Sequence, residues 1–119
     1  MNKLIKSFGY SFQGIAAAFR TEWNFRFHLV ATLIVVLLSW FFELNANEWM
    51  WVILAAGMVI SAELFNTAIE VLVDLVSPNI HPKAKIIKDV ASAAVLVTAI
   101  AALIIGLIIF IPKVWLYAA

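Results

Sequence analysis

Leu29 to Phe42 and Trp49 to Ala62 are uncharged apolar runs, and Val90 to Pro112 is a third that is long enough to cross a bilayer unaided. The first two are short for a crossing. They reach spanning length only if their helices continue through polar residues, the first backwards through Phe25 and His28, the second forwards past Glu63 to about Val73. The pattern thus predicts spans over about 25–43, 48–73 and 86–112. Ahead of them, Leu4, Ile5, Phe8, Phe12, Ile15 and Phe19 recur at helical spacing opposite Lys3, Lys6 and Gln13. That predicts an amphipathic helix over about 2–20, lying in a membrane interface.

The second span has a polar stripe. At ~100° per residue, Glu63, Asn66, Thr67, Glu70 and Asp74 fall within an arc of roughly 100°. Counting ~1.5 Å per residue from Trp49, Glu63 lies ~21 Å in and Glu70 ~31 Å, against a hydrocarbon core of ~30 Å. Glu63 is therefore expected inside the lipid and Glu70 at its edge. The third span opens with Lys85, Lys88, Asp89 and Ser92 on one face, and Glu22 precedes the first span at the same boundary. Polar groups tolerated within a span normally face protein or water and mark function. Carboxylates, an amide and lysines at one membrane surface suit Mg²⁺ and phosphate, through hard oxygen ligands and point charges.

Composition strengthens the membrane reading: 66% of the 119 residues are apolar and only 13% charged, with a mean hydropathy of +1.05. A net charge of +1 gives no basic surface for nucleic acid, and the lack of cysteine excludes disulfides, thiolate metal sites and a cysteine nucleophile. The chain is expected to be one domain over 1–119, with no linker, repeat or cleaved signal peptide. Lys3, Lys6, Arg20 and Arg26 precede the first span and Lys83, Lys85 and Lys88 separate the second and third, whereas the loop ELNANE has no basic residue. The positive-inside rule then puts the N-terminus and the loop before Lys83 in the cytoplasm and the C-terminus outside, with Trp40, Trp49, Trp51, Trp115 and Tyr117 as an outer aromatic belt. No GxxxxGK[ST], GxGxxG or HRD with DFG is present. Any phosphate chemistry would therefore not use the P-loop or protein-kinase solutions.

EWNFRFH at 22–28, AELFNTAIEVLVD at 62–74 and HPKAKIIKDVASAAVL at 81–96 together resemble the bacterial diacylglycerol kinase family of small integral membrane lipid kinases. NFRFH and HPKAKIIKD are more similar to its undecaprenol kinase branch. The resemblance implies an all-α inner-membrane homotrimer, each subunit having three transmembrane helices and an interfacial helix, with active sites shared between neighbours. It implies ATP-dependent phosphorylation of a lipid alcohol with Mg²⁺: undecaprenol to undecaprenyl phosphate, or alternatively diacylglycerol to phosphatidic acid. Glu63 matches the family's catalytic base, and Glu22 and Glu70 match the carboxylates that bind the metal of Mg-ATP. Asn66, Lys88 and Asp89 match positions around the phosphates. Lys3, where the better-known branch has Arg, and Tyr10 match positions near the nucleotide, and Ser92 matches a lipid-side position. Asn79 to His81 stands where the family has a nucleotide-contacting loop of different composition, which puts His81 in the nucleotide set.

Other readings of the same residues compete. Glu22 and Arg26, four apart, are also a plain helix-surface pair. Asp74 reads as a helix end near water and His28 as a polar anchor at the interface. His81-Pro82 reads as a loop and the first turn of the next helix. Ala55 to Gly57, Ala91 to Ala94, Ala99 and Gly106 are small residues for close helix packing. A small proton-coupled exporter would also carry a membrane-embedded acid, but near the midplane and reachable from both sides; a purely structural subunit would need no stripe.

Overall fold

A computed structural model describes residues 2–119. They form four helices, α1 (Asn2–Thr21), α2 (Trp23–Phe41), α3 (Ala46–Val76) and α4 (Pro82–Ala118), with no strand among the described residues. The last three are long and apolar enough to cross a bilayer. Both α3 and α4 overrun the spans expected at 48–73 and 86–112. α4 continues through Pro112, which forfeits one backbone hydrogen bond that a membrane helix can tolerate.

Each joint has a local cause. Between α1 and α2, Glu22 adopts extended backbone (φ −116°, ψ 111°). Arg26 reaches back to donate to the carbonyls of Phe19 and Arg20 at 2.9 and 3.2 Å, satisfying the end of α1. The spacing of Glu22 and Arg26 therefore produces a cap, and no ion pair joins them among the described residues.

After α2 the chain closes a Schellman turn: Glu43 N–H donates to Trp40 O and Leu44 N–H to Ser39 O, both at 3.1 Å. Glu43 takes φ 53° where glycine is usual, and Leu44 is buried beyond it. α3 then starts with a capping box in which Asn45 and Glu48 each accept the other's backbone N–H. His81 caps α4, its Nδ1 accepting from Lys83 N–H at 3.0 Å with Pro82 following.

α3 and α4 pack along one another, α2 lies against α3, and α1 touches α2 and α3 over a short stretch around Ala18. The result is a slab 57 × 43 × 21 Å. A slab this thin leaves most large apolar side chains, such as Leu33, Leu103 and Ile108, facing outward, as lipid-solvated helices require. A buried hydrophobic cluster joins Leu44, Val52 and Ile109, with Val35, Phe42, Trp49 and Phe110 around them, at the Lys113 end of α4. There Tyr117 meets Phe41 edge-on at 5.4 Å. Of the small residues, Ala55 and Ala91 lie on packed faces, while Gly57, Ala93 and Ala94 face outward.

Candidate functional site

The packed face of α3 changes character along its length. Val52, Ala55, Val59, Glu63, Asn66 and Val73 are its buried residues. At ~100° per residue they fit an arc of roughly 80°, so they form one ridge. Its first half is aliphatic. Its second half carries a carboxylate and an amide on the same buried line.

Glu63 is 2% exposed. Its Oε1 is sealed from solvent and has no hydrogen bond. His28 Nε2, from α2, approaches that oxygen to 3.2 Å but is off the direction a ring N–H would need, so the contact is proximity only. His28 is thus turned inward onto the acid, which replaces the interfacial anchor expected of it. Asn66 donates from Nδ2 to Glu70 Oε1 at 3.4 Å, and its own Oδ1 is buried without a partner. Burying an acceptor unpaired costs roughly 1–3 kcal/mol. Two such atoms four residues or fewer apart are a local deficit that a ligand would fill.

Glu22 and Glu70 are half-buried beside this ridge. Burial, and then the Glu70 charge, push the Glu22 carboxyl above the usual carboxylate range. Among the described residues neither is joined to a Lys or Arg. Two oxygen-donor carboxylates that repel one another and lack a cationic partner fit a hard divalent cation. No three acid or histidine side chains of the described residues converge as a complete metal site. This pair would hold such an ion only with ligands from elsewhere, as phosphate oxygens and water provide.

Beyond Val73 the ridge opens into a crevice of about 340 Å³ whose lining mixes apolar side chains such as Ile80 with Asp74, Asn79, His81, Lys85, Lys88 and Asp89. Lys88 Nζ donates to Asp74 Oδ1 at 2.6 Å across the α3–α4 interface. Lys85 pairs with Asp89 at the same distance along α4. Asp74, expected only to end its helix near water, instead holds Lys88, and α3 continues to Val76. Lys88 and Asp89, expected near phosphate, and His81, expected near the nucleotide, therefore line one crevice, with His81 Nδ1 already occupied by its cap.

The other residues are not gathered. Ser92 is exposed on α4. Lys3 and Tyr10 lie exposed in the first half of α1, outside the groove of about 740 Å³ that its second half forms with Leu64, Ala68 and Val71 of α3. One subunit alone leaves them apart from the ridge. Within this site, His28 and Asp74 have inter-helix contacts that sequence reasoning missed. Each partner is on another helix, so no local spacing could signal it.

A family model described as prokaryotic diacylglycerol kinase matches residues 9–110. The chain is 46% identical to an undecaprenol kinase of Bacillus subtilis over 113 residues, covering 95% of this chain and 92% of that protein. It is 35% identical to a diacylglycerol kinase of Escherichia coli over 102 residues, 86% of this chain and 84% of that one. A diacylglycerol kinase of Helicobacter pylori is 35% identical over 95 residues, 80% and 74% respectively. The chain belongs to the prokaryotic diacylglycerol kinase family.

Proposed function

We propose that this family member is a membrane lipid kinase that transfers the γ-phosphoryl group of ATP directly to the hydroxyl of undecaprenol, giving undecaprenyl phosphate. The observation that carries the reading is the single ridge of α3, which runs from a buried, underbonded Glu63 to a charged crevice at the helix end. A lipid alcohol with its tail in the bilayer and a water-borne triphosphate can meet along it.

Phosphoryl transfer asks chiefly for positioning and for neutralisation of the phosphoryl oxygens. Glu63 is the base that accepts the hydroxyl proton, from a depth that only a lipid-borne alcohol reaches. Glu22 and Glu70 hold Mg²⁺, which when bound supplies charge neutralisation at the phosphates. Asn66, with Oδ1 unpaired, orients groups between acid and phosphate. Lys88, Asp89 and His81 line the phosphate crevice, Lys88 leaving Asp74 to take up the anion. Lys3 and Tyr10 meet the nucleotide, and Ser92 the lipid. Their separation from the ridge within one subunit, together with the 21 Å slab, supports a homotrimer whose neighbours complete each site.

The clustering of Lys and Arg at the Lys88 end supports placing that end and the N-terminus on the cytoplasmic side of a bacterial inner membrane, with α1 in the interface. The 46% identity to an undecaprenol kinase favours the prenol as acceptor. The more distant relatives act, by name, on diacylglycerol, and phosphatidic acid is the product of that second reading. An exporter is disfavoured because the acids gather at one end of the ridge while the other half is aliphatic.

The test is purified protein given labelled ATP and either C55 prenol or diacylglycerol. Faster labelling of the prenol is expected. Preference for diacylglycerol would replace the acceptor, and labelling of neither would end the kinase reading. Crosslinking that yields only monomer would remove the shared site.

A further inference from the structure

Glu63 Oε1 is closed to solvent and accepts no hydrogen bond. An ionised carboxylate can only accept, so its orientation in a dry site depends on a donor. His28 Nε2, 3.2 Å away across the α2–α3 interface, is that donor in all but angle. No lysine or arginine reaches the acid among the described residues, and the carboxylates nearest it, Glu22 and Glu70, would repel it. Beside His28 lies a cavity of about 150 Å³ between α2, α3 and α4, walled by Ala31, Thr32, Val59 and Ala102. The imidazole therefore has room to turn. Hydrogen bonds of catalytic groups are often loose before substrate binds and tighten in the complex.

We propose that His28 is a positioning residue for Glu63: its neutral imidazole donates the Nε2 hydrogen to Oε1, leaving Oε2 aimed at the alcohol hydroxyl. The proton of the alcohol goes to Glu63, and His28 keeps its own. The tautomer with hydrogen on Nε2 is the one that serves. The role rests on the reading of Glu63 as base.

Five proteins test it, wild type, His28→Leu, His28→Gln, Glu63→Gln and the double variant His28→Leu with Glu63→Gln, assayed in detergent with ATP-Mg and C55 prenol, with thermal melting of each. Leucine fills the volume without a donor, and glutamine offers an amide N–H near the place of Nε2. His28→Leu is expected to lower kcat by about 10²-fold, the scale of a misplaced catalytic group, with KM for ATP and the melting temperature unchanged. His28→Gln is expected to regain most of that rate. Adding His28→Leu to Glu63→Gln is expected to cost nothing more, since residues acting through one another are not additive. The proposal is overturned if His28→Leu turns over normally, if glutamine is as slow as leucine, if the double variant loses both factors, or if the rate falls only with the melting temperature. Failure of the base itself shows separately, as full turnover by Glu63→Gln whatever His28 does.

Discussion

Two ion pairs tie α3 to α4, one near each end of the bundle, and they are built differently. At the Lys113 end, Glu48 accepts from the Asn45 backbone at 3.0 Å and lies 3.1 Å from Lys113 Nζ, with both side chains less than a quarter exposed. The Leu44, Val52 and Ile109 cluster and the Tyr117 contacts lie at the same end. Among the described residues no buried side-chain polar atom there lacks a partner. At the Lys88 end, Lys88 and Asp74 pair with no other side chain among the described residues, at 39% and 65% side-chain exposure. About two and three turns inward along α3 lie an amide oxygen and a carboxylate oxygen with no partner. The same two helices thus close one end as a structural clamp and leave the other underbonded. Unsatisfied buried groups persist when something other than stability retains them.

The sharpest way to break this comparison is Glu63→Gln. If Glu63 is the base as proposed, its loss is expected to reduce turnover by roughly 10² to 10⁴ with ATP still bound, measured by labelled phosphate transfer and nucleotide binding on one preparation. If the site is retained at the expense of stability, the same variant, relieved of a buried acid, melts no lower than wild type. Near-normal turnover would remove Glu63 from the chemistry.

Glu70→Gln comes next. If Glu22 and Glu70 hold the metal as proposed, loss of one carboxylate is expected to raise the Mg²⁺ concentration for half-maximal rate about tenfold or more, since even outer-shell losses cost that much. The Mg²⁺ titration reads it directly. An unchanged curve would leave the repulsion between Glu22 and Glu70 without a functional meaning.

Asp74→Asn probes whether the Lys88 contact is a latch or a clamp. An exposed pair contributes about 0.2–1 kcal/mol. If Lys88 must leave Asp74 to meet phosphate, freeing it lowers KM for ATP by up to about fivefold. A rise in KM would instead give Asp74 a direct part in holding the nucleotide.

The contrast between the two ends also decides what the sequence could reveal. Helix periodicity made the crossing segments and the Glu63, Asn66, Glu70 stripe legible, because those relations lie within one helix and repeat every three to four residues. The start of α4 at Pro82 was legible from proline's preference for a first helical turn. Lys88 with Asp74, fourteen positions apart, and His28 with Glu63 depend on how helices are rotated and shifted against each other. Small residues such as Ala55 and Ala91 permit that close approach without specifying it. Arg26 shows a subtler failure: its spacing from Glu22 suits a salt bridge, yet the break at Glu22 leaves carbonyls of Phe19 and Arg20 open, and the guanidinium goes to them. Lys3, Tyr10 and Ser92, known only through family resemblance, stay dispersed because the packing of one chain does not bring them to the ridge.

The smallest effect is expected at the clamp. Asn45 caps α3 by accepting the Glu48 N–H at 2.9 Å, while Glu48 returns the bond and also faces Lys113. Asn45→Ala removes the first of these bonds and loosens the second. The cost expected for a lost N-cap is about 1 kcal/mol, seen as a lower melting temperature in detergent. Because this end lies some seven helical turns along α4 from Lys88 (~1.5 Å per residue from 88 to 113, or about 38 Å), kcat, KM for ATP and the Mg²⁺ requirement are expected to stay at wild-type values. The pairing of outcomes is what matters. Stability lost without activity here, and activity lost without stability at Glu63, is the signature of one helix pair divided between holding and reacting. Activity falling with Asn45→Ala would mean that the two ends are mechanically coupled through α3, and that the satisfied end sets the register on which the underbonded end depends.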